Sequence, residues 1–212
     1  MGRRMEPVDL ALCLAVDVSA SVDYDEFGLM LGGYAAAFRD SAVVGLCVAG
    51  PRRAVAVGAV FWSGVQPGPE VAIPWRRVDG EASAEAVAAA LDAAPRLPRA
   101  GATALGEGMA AGLATLARCP ADATRSVLDV SGDGRHNQGR PPAPVRDIGV
   151  AAGVTINALA VLNEEADLLH HYRDEVIGGT GSFAVACDDY AAFAEAIRTK
   201  LMREIHDVSF AV

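Results

Sequence analysis

Apolar runs of strand length alternate along this chain with longer segments of helical period. Residues 8–16 and 54–62 are almost unbroken apolar runs, the pattern of strands covered on both faces. Residues 125–130 and 154–162 repeat it, and 182–186 forms a last short strand after the turn Gly178-Gly179-Thr180-Gly181. Residues 70–75, bounded by prolines, read as an edge strand. Between these runs the spacing of Phe27, Met30, Leu31, Tyr34 and Phe38 predicts one buried face of a helix over 23–39. One or two further helical turns are expected at 42–48. Alanine-rich stretches predict helices at 82–94 and 105–117. Helices are also expected at 145–152, 164–177 and 189–205, the last amphipathic. Residues 95–103 and 131–144 are loops, and the tail 206–212 has no pattern.

Strand–helix alternation of this kind indicates an α/β fold. The expected form is a three-layer α/β/α arrangement around a doubly wound, mainly parallel sheet with one antiparallel edge strand. No repeat, linker or low-complexity block divides the 212 residues, so one domain is expected, with its core over about 8–205. Ligands of such sheets bind beyond the carboxyl ends of the strands. Here those are the loops after Val16, Trp62, Val130 and Leu162, of which the first and third are the most polar.

Composition narrows the partners. A formal charge of −9 repels phosphate backbones and anionic lipid, so neither nucleic acid nor a membrane surface is expected as a partner. No run approaches the ~18 apolar residues of a membrane span, so no membrane insertion is expected. Met1-Gly2-Arg3-Arg4 followed by the apolar run 10–16 superficially resembles a signal peptide. That run is short, Glu6 and Asp9 interrupt the approach to it and Asp17 follows at once, so it reads as a buried strand. The expected location is cytoplasmic as the sequence stands, and periplasmic or secreted if a leader has been removed. Cys13, Cys47, Cys119 and Cys187 are scattered without a C-x-x-C pair, which fits reduced thiols better than a zinc or redox site.

Candidate chemistry lies in three places. Asp17-Val18-Ser19-Ala20-Ser21 sets a carboxylate and two hydroxyls at alternate positions directly after a buried strand. As the chain turns, all three can converge on one point; serine caps on the next helix are the plainer alternative. Asp129-Val130-Ser131-Gly132-Asp133-Gly134 matches the opening of an EF-hand loop, but Arg140 stands at the closing glutamate position and a strand, not a helix, precedes it. A parallel strand ending at Asp133 delivers a carboxylate to the same sheet edge as Asp17, while Asp129 belongs to the strand. Thr103, in Gly101-Ala102-Thr103 before a helix, is either a further oxygen donor or an N-cap. Oxygen ligands with one or two carboxylates suit Mg²⁺, with Mn²⁺ or Ca²⁺ as the other candidates.

D-x-S-x-S, then a loop threonine before a helix, then a strand-end Asp-Gly resembles the von Willebrand factor A superfamily and its metal-ion-dependent adhesion site. The likeness runs over about 8–205. Asp17 to Asp23, Trp62-Ser63, Ser131 to Gly139 and Gly178-Gly179 resemble an uncharacterised bacterial subfamily more narrowly. The resemblance implies Asp17, Ser19, Ser21, Thr103 and Asp133 as the metal ligands. It also implies binding rather than catalysis: a protein partner supplies an acidic side chain to an open position on the ion. Gly132 departs from the family, many members of which have threonine there.

Other residues carry weaker signals. His136 reads as a solvated loop histidine, and the adjacent His170 and His171 cannot chelate together on a helix. Asn137 is a candidate brace for its loop. No G-x-S-x-G elbow surrounds Ser19 or Ser21. A Mg²⁺-dependent phosphatase or related hydrolase at the same sheet edge is the alternative function. It usually calls for a lysine near the phosphate, and the only lysine, Lys200, falls in the terminal helix.

Overall fold

Ten consecutive buried residues, Val8–Asp17, form the central strand β1. Its side chains alternate between two cores. Leu10, Leu12, Leu14 and Val16 join one, and Ala11, Cys13 and Ala15 join the other. An almost continuous apolar run is therefore required. In the computed structural model, which describes residues 4–97 and 101–206, the remaining strands are β2 (Val55–Trp62), β3 (Glu70–Val78), β4 (Ala123–Gly132), β5 (Val154–Val161) and β6 (Ala184–Cys187). They lie in the order β3-β2-β1-β4-β5-β6, all parallel except β3, which runs antiparallel to β2 at the edge. The α/β reading and its single antiparallel edge strand are borne out.

Helices α1 (Tyr24–Arg39), α2 (Ser41–Cys47), α3 (Glu81–Asp92) and α7 (Phe193–His206) cover one face; α4 (Leu105–Leu116), α5 (Pro142–Ala151) and α6 (Leu168–His171) cover the other. Each of the five residues expected on the inner face of α1 is buried. All four cysteines are unpaired, and burial pushes the Cys47 and Cys187 thiols up to about 12. No helix among the described residues is long and apolar enough to cross a membrane.

Several boundaries differ from the sequence expectation. β3 continues past Trp75 to Val78, because exposed Glu70 and half-buried Trp75 alternate along a strand covered on one side. α5 starts at Pro142, since proline is suited to the first helical turn. α7 starts at Phe193 rather than at 189. The helix expected over 164–177 is a single α-helical turn, α6, followed by a π-helical turn, Tyr172–Val176. Residues 98–100 of the expected loop and 207–212 of the tail lie outside the described residues.

Where the strand order reverses, β1 and β4 lie side by side with Val16 opposite Ser131, so Asp17 lies beside Gly132. The chain leaves β1 toward α1 on one face and leaves β4 toward α5 on the other, which opens a crevice between them. α4 can approach this crevice only because its inner positions are glycine. A methyl group on Gly108 would drive into the Trp62 indole, and one on Gly112 into Leu128. Gly108→Ala should therefore destabilise the protein by about 1–3 kcal/mol through overpacking. That sign opposes the gain of ~1 kcal/mol that alanine brings to a helix interior. Urea unfolding decides the matter; a more stable variant would show that α4 is not held against Trp62.

Candidate metal centre

Asp17 ends β1, and the backbone beyond it is held at each step. Val18 N–H donates to Trp62 O at 2.8 Å, and Ala20 N–H to Gly101 O at 2.8 Å. The Arg96 guanidinium donates to the carbonyls of Val18, Ser19 and Val22, and its charge lies 6.0 Å from the Phe27 ring centroid. Arg96 carried no motif signal. Its part is seen only once the fold brings 95–97 back over the first loop.

Asp23, not a serine, caps α1. Its carboxylate accepts Glu26 N–H and the Glu26 carboxylate accepts Asp23 N–H, both at 2.8 Å. The hydroxyls of Ser19 and Ser21 are thus free for other work. Thr103 is likewise no cap: the N-cap of α4 is Ala104, and no side chain caps it. The loop histidine's neighbour Asn137 does brace Thr103. Its Oδ1 accepts Thr103 N–H at 2.9 Å, and its own N–H donates to Thr103 O at 3.1 Å. Two further clasps come from residues outside the proposed ligand set. Ala104 N–H donates to Ser63 O at 2.9 Å, and Gln138 Oε1 accepts Val65 N–H at 2.9 Å.

These contacts bring Asp17, Ser19, Ser21, Thr103 and Asp133 to one end of the sheet. Ser19 N–H donates to Asp17 Oδ1 at 2.7 Å, the Ser19 and Ser21 hydroxyls lie 3.1 Å apart, and Ser21 Oγ donates to Asp133 Oδ1 at 2.7 Å. Thr103 Oγ1 and Ser21 Oγ both border Gly134, at 3.5 and 4.0 Å from where a Cβ would stand. Both aspartates are fully buried, and the second oxygen of each, Asp17 Oδ2 and Asp133 Oδ2, has no partner among the described residues. Burial, and next the charge of Asp133, push the Asp17 carboxyl up to about 8, against the pull of Ser19 and Arg96. Burial also raises Asp133, opposed by the Ser21 hydrogen bond and the nearby Tyr190 hydroxyl, with the charges of Glu164 and Glu26 adding to the rise.

Two buried carboxylate oxygens without partners are costly, and a cation between them removes the cost. Hard oxygen donors in this mixture fit Mg²⁺. Among the described residues no group of three or more His, Cys, Asp or Glu could hold a metal, so hydroxyls must complete any ligand set here. His136 is half-buried with a buried, unpartnered Nδ1, not fully solvated as its loop position suggested. His170 is exposed and His171 half-buried on α6. Around the crevice Arg135 pairs with Glu165 at 2.8 Å and with Asp167 at 2.5 Å.

Solved structures share this fold over nearly the whole chain. A von Willebrand factor type A protein from Catenulispora acidiphila is 18% identical, with a TM-score of 0.65 over 96% of this chain and 43% of its own. The pilus adhesin SpaC from Lactobacillus rhamnosus GG is 15% identical, with a TM-score of 0.66 over 98% of this chain and 31% of its own. A proximal thread matrix protein of the mussel byssus, described with a zinc-occupied adhesion-site motif, is 16% identical, with a TM-score of 0.59 over 96% and 48%. This chain spans less than half the length of each. At these identities the likeness is one of fold. No curated protein matches. Residues 7–209 match the family described as "Protein of unknown function (DUF1194)", so the chain belongs to that family, and its own fold is of the von Willebrand factor A type.

Proposed function

We propose that the protein is a divalent-metal-dependent protein-binding module. In this reading Asp17, Ser19, Ser21, Thr103 and Asp133 hold one Mg²⁺, and an acidic group of a partner protein completes its coordination. The observation that carries the reading is the pair of buried, unpartnered oxygens, Asp17 Oδ2 and Asp133 Oδ2, on carboxylates whose other oxygens are held by Ser19 N–H and Ser21 Oγ. The bound ion supplies a positive centre that attracts an anionic oxygen which a chain of charge −9 would otherwise repel. The protein's own residues do the rest. Ser19 N–H and Ser21 Oγ orient the carboxylates, Asn137 fixes Thr103, and Arg96 holds the first loop. The zinc-occupied motif described for the byssus protein and the adhesive role named for SpaC support the same reading. The phosphatase alternative gains no observation, since Lys200 is fully buried beside Asp129 and Glu204.

Isothermal titration of the chelator-stripped protein with Mg²⁺ and Mn²⁺ tests the site. Saturable one-site binding is expected, with Asp17→Ala and Asp133→Ala silent. A parent that binds neither ion at millimolar concentration refutes the proposal. Affinity capture with and without chelator tests the bridge: a partner held equally well in both conditions refutes a metal-bridged contact.

A further inference from the structure

Gly132 is the last residue of β4 and directly precedes Asp133. A Cβ at this position would stand 2.7 Å from Asp17 Oδ2, 3.1 Å from Asp17 Cβ and 2.8 Å from the Tyr172 hydroxyl. The backbone at Gly132 has no positive φ that would itself demand glycine. What excludes a side chain is the pair of groups already bordering the space, and one of them is the unpartnered oxygen of Asp17.

Tyr172 comes from the opposite layer. It is fully buried in the core formed by α4, α5 and α6, the same core that Ala11, Cys13 and Ala15 enter from β1. By strand alternation Asp17 continues that row, so Tyr172 and Asp17 meet on one face of the sheet. Tyr172 opens the π-helical turn, and such turns, rare within helices, are frequent at functional sites. The hydroxyl's recorded contact is a long one, 3.5 Å to Gly134 O, which leaves its proton weakly engaged.

We propose that Tyr172 is a positioning residue of the metal centre: its hydroxyl, admitted by the absent side chain at Gly132, backs the Asp17 carboxylate and sets the direction in which that carboxylate faces the ion. This rests on the metal-binding reading above. It also gives a local reason for the glycine at 132. Groups that orient a ligand from behind are commonly worth 10–100-fold in metal affinity.

Two variants approach the arrangement from its two sides. Tyr172→Phe removes only the hydroxyl; Gly132→Ala keeps it and crowds Asp17. Titration with Mn²⁺ and Mg²⁺ is read beside the melting temperature in chelator. Tyr172→Phe is expected to bind about 10–100-fold more weakly while its melting temperature in chelator stays near the parent's. A packing role alone would lower the melting temperature and leave the affinity unchanged, and that outcome overturns the inference. If Tyr172→Phe does not fold, Gly132→Ala still tests the arrangement: parental affinity, with a methyl group set between the hydroxyl and Asp17, overturns the inference. A parent that binds while both variants bind equally well overturns this inference and spares the metal site. A parent that binds no metal overturns both.

Discussion

Replacing Lys200 by methionine should lower the free energy of unfolding by about 3–5 kcal/mol, the range for stripping one partner from a buried ion pair. Lys200 Nζ lies 2.6 Å from Asp129 Oδ2 and 2.7 Å from Glu204 Oε1, and all three side chains have no exposed surface. Asn157 Nδ2 donates to Glu204 at 2.9 Å, and Tyr34 OH lies 3.1 Å from both Asp129 Oδ1 and Ser131 Oγ. The cluster thus ties α7 to α1, β4 and β5 through the core. Methionine fills the space of the lysine stem but leaves two carboxylates facing each other without a cation. Replacing Asp129, Lys200 and Glu204 together by apolar residues of similar volume should recover most of the loss, because the charges then leave together. Guanidinium unfolding measures both; a loss below about 1 kcal/mol for Lys200→Met would show that the pair is not dry.

One lysine cannot neutralise two carboxylates, and the consequence is a proton. Burial, and next the Asp129 charge, push Glu204 up to about 8, against the pull of Lys200 and Asn157. A carboxyl whose folded pKa exceeds its unfolded value of 4.5 binds its proton more tightly when folded. Its contribution is fully present below about 4.5 and is lost as pH rises through about 8. Stability should therefore fall across that window, and Glu204→Gln, which mimics the neutral acid, should flatten the fall. Unfolding curves at pH 5, 6.5 and 8.5 compare the two proteins. Parallel profiles would mean that Glu204 is ionised throughout.

Both cluster residues on α7 were within reach of the sequence. Phe193, Ile197, Lys200, Leu201, Glu204 and Ile205 fall on one helical stripe and all are buried. Lys200 and Glu204 interrupt an otherwise apolar face one turn apart, which is the signal of a buried ion pair rather than a solvated one. Four of the five proposed oxygen donors were legible for a different reason: alternation at a strand end and a glycine after Asp133 fix direction locally, so bringing Asp17, Ser19, Ser21 and Asp133 to one sheet edge needs little beyond the parallel register of β1 and β4, whereas Thr103 is placed by its clasp with Asn137. Arg96 and Tyr172 depend on contacts between segments 70 or more residues apart in one case and on a π-helical turn in the other. Neither leaves a period in the chain. The helix expected at 164–177 failed because apolar spacing marks which residues are buried without marking the hydrogen-bond step that buries them.

Asp17→Asn should separate the cost of the site from its use. In chelator at pH 8.5, where the parent carries two buried carboxylates, the variant is expected to be roughly 1–3 kcal/mol more stable, since it removes a buried charge and its repulsion with Asp133, which together hold Asp17 near 8. Asparagine Oδ1 can still accept Ser19 N–H, so the first loop keeps its shape. Added Mg²⁺ should reverse the order. The parent gains RT ln(1 + [Mg²⁺]/Kd), about 2.7 kcal/mol at a hundredfold excess over Kd, while the variant gains almost nothing. Binding to the parent also releases protons below pH 8, because the ion displaces the one on Asp17. Scanning calorimetry in chelator and in 10 mM Mg²⁺, an excess of about a hundredfold for a Kd near 0.1 mM, reads both effects in one pair of proteins. A variant less stable than the parent in chelator would show that the carboxylates are not in conflict. A variant stabilised by Mg²⁺ as much as the parent would place the ion elsewhere. The crossing of the two stabilities with metal is the outcome that only a site built at the expense of the fold can give.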